Sequence, residues 1–173
     1  SIDNYGEIKE IKEFSNKVFN NGKNVSFFQP YWISDNLLVC SEDSTGWWNL
    51  CILEITDIEN ISLKQRIVKP FTEYGTPQWC SGISLFSGNI KNLFCLAKKE
   101  NCWILEWYQD LSRIKEFELP FSSISDFGAF DQKLLIRGDS FYYFDYLFEN
   151  DFEEKDVTNF SKEVCFQSGS DYS

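Results

Sequence analysis

Apolar residues along this chain gather into short runs separated by turn-forming residues, with no long helical stripe through the middle of the sequence. Phe28-Gln29-Pro30-Tyr31-Trp32 is followed by Leu37-Leu38-Val39-Cys40-Ser41, then by Trp47-Trp48-Asn49-Leu50-Cys51-Ile52-Leu53, and a weaker stretch from Leu63 to Val68 closes the series. The pattern then restarts. Gly75-Thr76-Pro77-Gln78-Trp79 echoes the earlier Gln-Pro-x-Trp, with Pro77 standing 47 residues after Pro30. Leu93 to Ala97, Trp103 to Tyr108 and Ile114 to Leu119 follow. A third series starts near Ser122-Ser123-Ile124-Ser125, continues through Leu134-Leu135-Ile136 and Phe141 to Tyr146, and ends about Asp156 to Phe160. Runs this short, rich in β-branched and aromatic residues, predict strands.

Turn chemistry divides the runs. Ser34-Asp35-Asn36, Ser44-Thr45-Gly46, Ser87-Gly88-Asn89 and Arg137-Gly138-Asp139-Ser140 each carry residues that favour reversals. Several inner runs are apolar at successive positions instead of alternating, as expected of strands covered on both faces. A repeat of about 40–50 residues with four strands in each matches a β-propeller blade. The predicted fold is therefore all-β: a partial β-propeller of about three four-stranded antiparallel blades plus an outer strand of another. The expected organisation is a single domain over 1–173, with blades at about 25–70, 75–120 and 121–164. Residues 1–20 fit two patterns. Ile8, Ile11, Phe14 and Val18 would line one side of a helix, whereas Asp3-Asn4-Tyr5-Gly6 before Glu7 to Phe14 reads as a turn and strand. The strand, as a remnant of a preceding blade, is the expectation.

Composition supports β-structure. Aromatic residues make up 18% of the chain, Ala occurs only at 97 and 129, and Met is absent. A net charge of −11 repels phosphate backbones, which argues against nucleic acid as a partner. No apolar run approaches the roughly 20 residues that span a bilayer, so no membrane partner is expected. With no leader visible at the start, the cytoplasm is the expected compartment. The chain begins at Ser1, which fits both removal of an initiator and excision from a longer polypeptide.

The six cysteines, at 40, 51, 80, 95, 102 and 165, form no C-x-x-C pair. Cys40, Cys51 and Cys95 lie inside apolar runs, where buried free thiols are expected; disulfides in a secreted protein are the alternative. The Asn-x-Ser triplets at Asn24, Asn60 and Asn159 carry no weight in a cytoplasmic protein. The chain has no histidine, which removes Ser-His-Asp and Cys-His activation and histidine metal sites. No catalytic residue, cofactor or metal ligand is expected within it.

The first series also carries a family resemblance. Gln29-Pro30-Tyr31-Trp32-Ile33-Ser34-Asp35-Asn36 resembles the Q-P-x-W-S-P-D-G motif of propellers in prolyl oligopeptidase-family serine peptidases, a blade type shared with TolB-like propellers. Ser41-Glu42-Asp43-Ser44-Thr45-Gly46-Trp47-Trp48-Asn49-Leu50 resembles the S-D-R-T-G-W-W-N-L run of bacterial acylaminoacyl-peptidase or dipeptidyl aminopeptidase-like members. Tyr74-Gly75-Thr76-Pro77-Gln78-Trp79 and Leu119-Pro120-Phe121-Ser122-Ser123-Ile124 are similar to later segments of the same proteins, and the resemblance covers about residues 5 to 148. The G-W-W-N-L run with a downstream G-x-P-Q-W is the more specific part. Two departures stand out. Asn36 replaces the turn glycine, which Asn can do because it tolerates the left-handed conformation. Glu42-Asp43 replaces Asp-Arg, which loses a cation and puts in doubt any salt bridge made there in relatives.

The resemblance implies a propeller that sits over an α/β-hydrolase domain and restricts entry to short peptides. The catalytic serine, aspartate and histidine would lie in that hydrolase domain, outside these residues; the chain has no G-x-S-x-G elbow. The implied partners are the remaining blades, the hydrolase domain and, in the full enzyme, peptides. Self-association through open blade edges is expected of the isolated piece. The competing functions are a stand-alone TolB-like or WD-type propeller for protein–protein interaction and an aromatic-lined carbohydrate binder.

The candidate ligand or interface aromatics are Trp47, Trp48, Trp103 and Trp107, which the repeat pattern places at the same point of successive blades. Filling the space between sheets is the favoured reading of rings at that point, ahead of stacking on a ligand. Glu42 and Asp43, beside the Gly46 turn, read as a mobile surface turn; a place facing the substrate route of the full enzyme is the alternative. The acidic cluster Glu149, Asp151, Glu153, Glu154 and Asp156 lacks calcium-loop spacing and reads as a solvated loop.

Overall fold

The computed structural model describes residues 25–57, 59–80, 82–130, 133–139, 146–151 and 164–165. The expected strand at 1–20, the Phe141–Asp145 part of one predicted strand, the expected closing strand at 156–160 and much of the acidic cluster lie outside the described residues. Thirteen strands and no helix occur among those described. They fall into two compact units, one ending at Glu73 and the other beginning at Tyr74.

The first unit holds a four-stranded antiparallel meander: β1 (Phe27–Trp32), β2 (Leu37–Glu42), β3 (Asn49–Ile55) and β4 (Ile61–Ile67), in that spatial order. The two inner strands are buried on both faces for most of their length, while no residue of β4 is fully buried. This explains why β2 and β3 read as continuous apolar runs and β4 as a weak one. Pro30 has no N–H for a ladder. It sits on edge strand β1 within the bulge between Phe28 and Tyr31, where Gln29 adopts φ 51°. Cys40 and Cys51 are direct cross-strand partners in a core with Val25 and Leu53. β5 (Thr72–Glu73) is a two-residue strand at the end of this unit.

The second unit contains two further meanders. β6 (Phe86–Asn89), β7 (Asn92–Lys99), β8 (Cys102–Gln109) and β9 (Ser112–Leu119) pair in series. β10 (Ser123–Phe130), β11 (Lys133–Asp139), β12 (Tyr146–Asp151) and β13 (Val164–Cys165) form the next four-stranded sheet. The Ala129 N–H on β10 donates to Ser87 Oγ on β6 at 2.7 Å, joining these two sheets.

Three expectations need correction. Gly75–Trp79 is not the first strand of the second meander: the segment is a loop with a turn at Gln78–Trp79, and β6 takes the strand position. Ser87-Gly88-Asn89 ends β6, and the reversal follows at Ile90–Lys91, where Asn89 Oδ1 accepts hydrogen bonds from the Lys91 and Asn92 amides. Arg137–Asp139 is the end of β11, not a turn. Gly138 is there because β10 passes so close that an added Cβ would overlap the Ser123 carbonyl oxygen. The strand bulges at this point, between Ile124 and Asp126.

Cys40, Cys51 and Cys95 are buried, Cys80 and Cys102 are exposed, and none of these five is in a disulfide. A hydrogen bond with Cys40, followed by burial, pushes the Cys51 thiol far above the ordinary range. Such a thiol stays protonated and unreactive. No helix among the described residues is long and apolar enough to cross a membrane.

Candidate functional site

Glu42, expected on a surface turn, is completely buried at the end of β2. A carboxylate in that position requires partners. Arg66 Nε on β4 donates to Glu42 Oε1 at 2.7 Å. Asn49 Nδ2 donates to the same oxygen at 2.9 Å, and the Ser44 amide donates to Oε2 at 2.8 Å. Arg66 also donates to Ser44 Oγ. Arg66 on β4 thus supplies the cation beside Glu42.

This network shapes the turn that carries the first two candidate tryptophans. The Gly46 amide donates to the Asp43 carbonyl at 2.8 Å, with Gly46 at φ 87°, a conformation glycine adopts without strain. Asn49 Nδ2 reaches back to Thr45 Oγ1 at 2.8 Å and to the Trp47 carbonyl at 3.0 Å. The turn therefore holds Trp47 and Trp48 against the start of β3. Trp48 is half-buried, with its ring centroid 5.5 Å from that of Phe28. Trp47 is exposed and packs edge-on against Phe71, with centroids 6.1 Å apart and an interplanar angle of 74°.

Trp103 and Trp107 occupy a different kind of position. Both lie within β8, whereas Trp47 and Trp48 precede β3. The expected equivalence between the two pairs does not hold. Trp107 is buried, stacks on Phe94 at 6.2 Å and 14°, and donates from Nε1 to Asn92 Oδ1 at 3.1 Å. Trp103 is buried beneath Lys98, whose Nζ stands 5.9 Å from the ring centroid. These two rings pack the second unit's core. Of the four candidates, Trp47 alone presents an exposed ring.

The second unit has its own buried carboxylate. Glu106 on β8 accepts from the Tyr74 hydroxyl, from the Tyr108 hydroxyl at 2.8 Å and from Arg113 Nη1 at 3.3 Å. Burial pushes both phenols well above the ordinary tyrosine value. Glu106 thereby fastens Tyr74 at the start of the unit to β8 and β9.

The sequence reading missed Phe71, the Glu42–Arg66 pair and the Glu106 network. Phe71 stands in a short Lys69-Pro70-Phe71 connection outside any predicted strand, and nothing in its spacing set it apart. The two ion pairs depend on strand register, which apolar runs do not specify. Among the described residues, no group of three or more acidic or cysteine side chains is arranged to hold a metal ion.

No family model matches the sequence, and no curated protein matches it significantly. Solved structures do match. A Mycobacterium tuberculosis puromycin-hydrolyzing peptidase aligns over 75% of this chain and 20% of its own, at 20% identity and a TM-score of 0.57. A puromycin hydrolase aligns over 75% of this chain and 19% of its own, at 17% identity and a TM-score of 0.58. The chain has the fold of a partial β-propeller. It spans about a fifth of the length of these solved chains, and the likeness is one of fold. Within the propeller piece, the antiparallel meanders are the blades, and the Glu42 and Glu106 networks lock strands within single blades.

Proposed function

We propose that this propeller piece is the non-catalytic, substrate-gating part of a serine peptidase of the prolyl oligopeptidase family, acting in the cytoplasm. The observation that carries the reading is the fold match to puromycin-hydrolyzing peptidases over three quarters of the chain. The Gly46-Trp47-Trp48-Asn49-Leu50 run adds to it, since it lies on the turn between the second and third strands of a blade. Its partners in this reading are the remaining blades, an α/β-hydrolase domain and short peptides.

In the proposed mechanism the blades wall a chamber, and the hydrolase domain supplies serine, histidine and aspartate. Access is limited by size: a folded protein or long peptide cannot thread between rigid blades, whereas a short peptide can. Buried ion pairs suit this role because a gate must hold its shape while substrates differ.

The test is the encoded reading frame and its product. G-x-S-x-G, then aspartate, then histidine should lie downstream. Deleting the propeller portion from the full product should extend cleavage to peptides that the intact enzyme rejects. A frame with more blades and no hydrolase segment would favour a stand-alone interaction propeller instead.

A further inference from the structure

We infer that the corner formed by Trp47 and Phe71 is a subsite for a single aromatic side chain of a peptide. Three observations converge on it. Phe71 is 64% exposed and adopts φ 56°, in the left-handed region. That conformation is costly for a bulky residue, and strain of this kind concentrates at functional positions. Its ring meets Trp47 edge-on, and Trp47 is itself 41% exposed on a turn pinned by Asn49. The corner is therefore built before any ligand arrives, which lowers the ordering cost of binding.

Size limits the occupant. An aromatic side chain offers about 150–250 Å². At the exposures of Trp47 and Phe71 the two rings together present about 200 Å². A stable protein partner needs about 800 Å² on each side. One ring matches this area, which is about a quarter of what a docked domain covers.

Chemistry narrows it further. A sugar needs polar groups beside the ring to hold its hydroxyls. The polar side chains of the turn each hold a hydrogen bond, which fixes them in place. Asp43 Oδ1 accepts from the Ser26 amide, Ser44 Oγ accepts from Arg66, and Thr45 Oγ1 accepts from Asn49. The corner itself is ring surface, which selects an apolar, planar group that packs edge-to-face or offset.

The assignment of the ring to a peptide rests on the proposed peptidase role; the ring preference itself does not. Ligand-observed NMR on the chain with Gly-Phe-Gly, Gly-Ala-Gly and maltotriose separates the two. Saturation should reach the phenylalanine ring of Gly-Phe-Gly, with weaker transfer to the other two. Trp47→Ala and Phe71→Gly should each weaken that binding about fivefold. Phe71→Gly also relieves the positive φ, so its urea midpoint should stay level or rise, which secures the test if Trp47→Ala misfolds. Equal binding of the Phe and Ala peptides, a preference for maltotriose, or unchanged binding in both variants would overturn the inference. A reading frame without a hydrolase segment would remove the peptidase role and leave the ring preference standing.

Discussion

Arg66 on β4 reaches across the intervening strand β3 to pair with Glu42 on β2, two residues separated by 24 positions in sequence. Glu42 is wholly shielded and Arg66 keeps 27% of its side chain exposed. The pair ties the outer strand of the first blade to an inner one, and it positions the turn carrying Trp47.

Removing the cation should leave a buried carboxylate unpaired. Arg66→Met is expected to destabilise the chain by about 3 kcal/mol, and Glu42→Gln combined with Arg66→Met should recover much of that loss. Urea unfolding of the single and double variants checks this. Equal losses for both would mean that desolvation of Glu42 is not the governing cost.

Alkaline pH should act through Tyr74 and Tyr108. Burial raises both phenols above their ordinary value of 10.0 in the folded state. Stability from keeping them neutral is complete below the unfolded value. It falls as pH rises past about 10, where the unfolded chain releases protons that the folded chain retains. Tyrosinate absorbance should therefore show Tyr74 and Tyr108 titrating only with unfolding. Tyr108→Phe should reduce that late step.

Gly138→Ala tests the close approach of β11 to β10. The new Cβ would collide with the Ser123 backbone carbonyl, which cannot swing away as a side chain can. A loss of about 1–3 kcal/mol is expected. Thermal unfolding compared with Gly128→Ala, where a Cβ would meet nothing within 4 Å, isolates the collision from the change in chain entropy.

An open propeller piece should also self-associate, because strand edges and blade faces that neighbours would cover are left available. Sedimentation velocity over a range of concentrations should show mass growing with concentration. A monomer at every concentration would contradict this.

Much of the architecture was legible in the residues. The strands β2, β3, β7 and β8 are buried on both faces, so their apolar runs are dense and bounded, and the Ser44-Thr45-Gly46 reversal lies where its residues indicate. The errors have a common cause. Gly138-Asp139 has turn chemistry, but its glycine serves close packing within a strand. Gly75–Trp79 shares a Pro-x-Trp pattern with β1, but it forms a loop because β6 occupies the strand position. Glu42 looked like a surface charge because its partner lies two strands away, and local sequence does not encode that distance. Trp47 was picked out by its neighbourhood, whereas Phe71 became visible only once the connection after β4 was folded against it.

The peptidase reading is tested most directly by fluorophosphonate labelling of the full polypeptide that contains these 173 residues, followed by peptide mapping. The account predicts one labelled serine, located in a segment beyond this chain. A labelled serine within the chain, or a full polypeptide that takes no label, would contradict it.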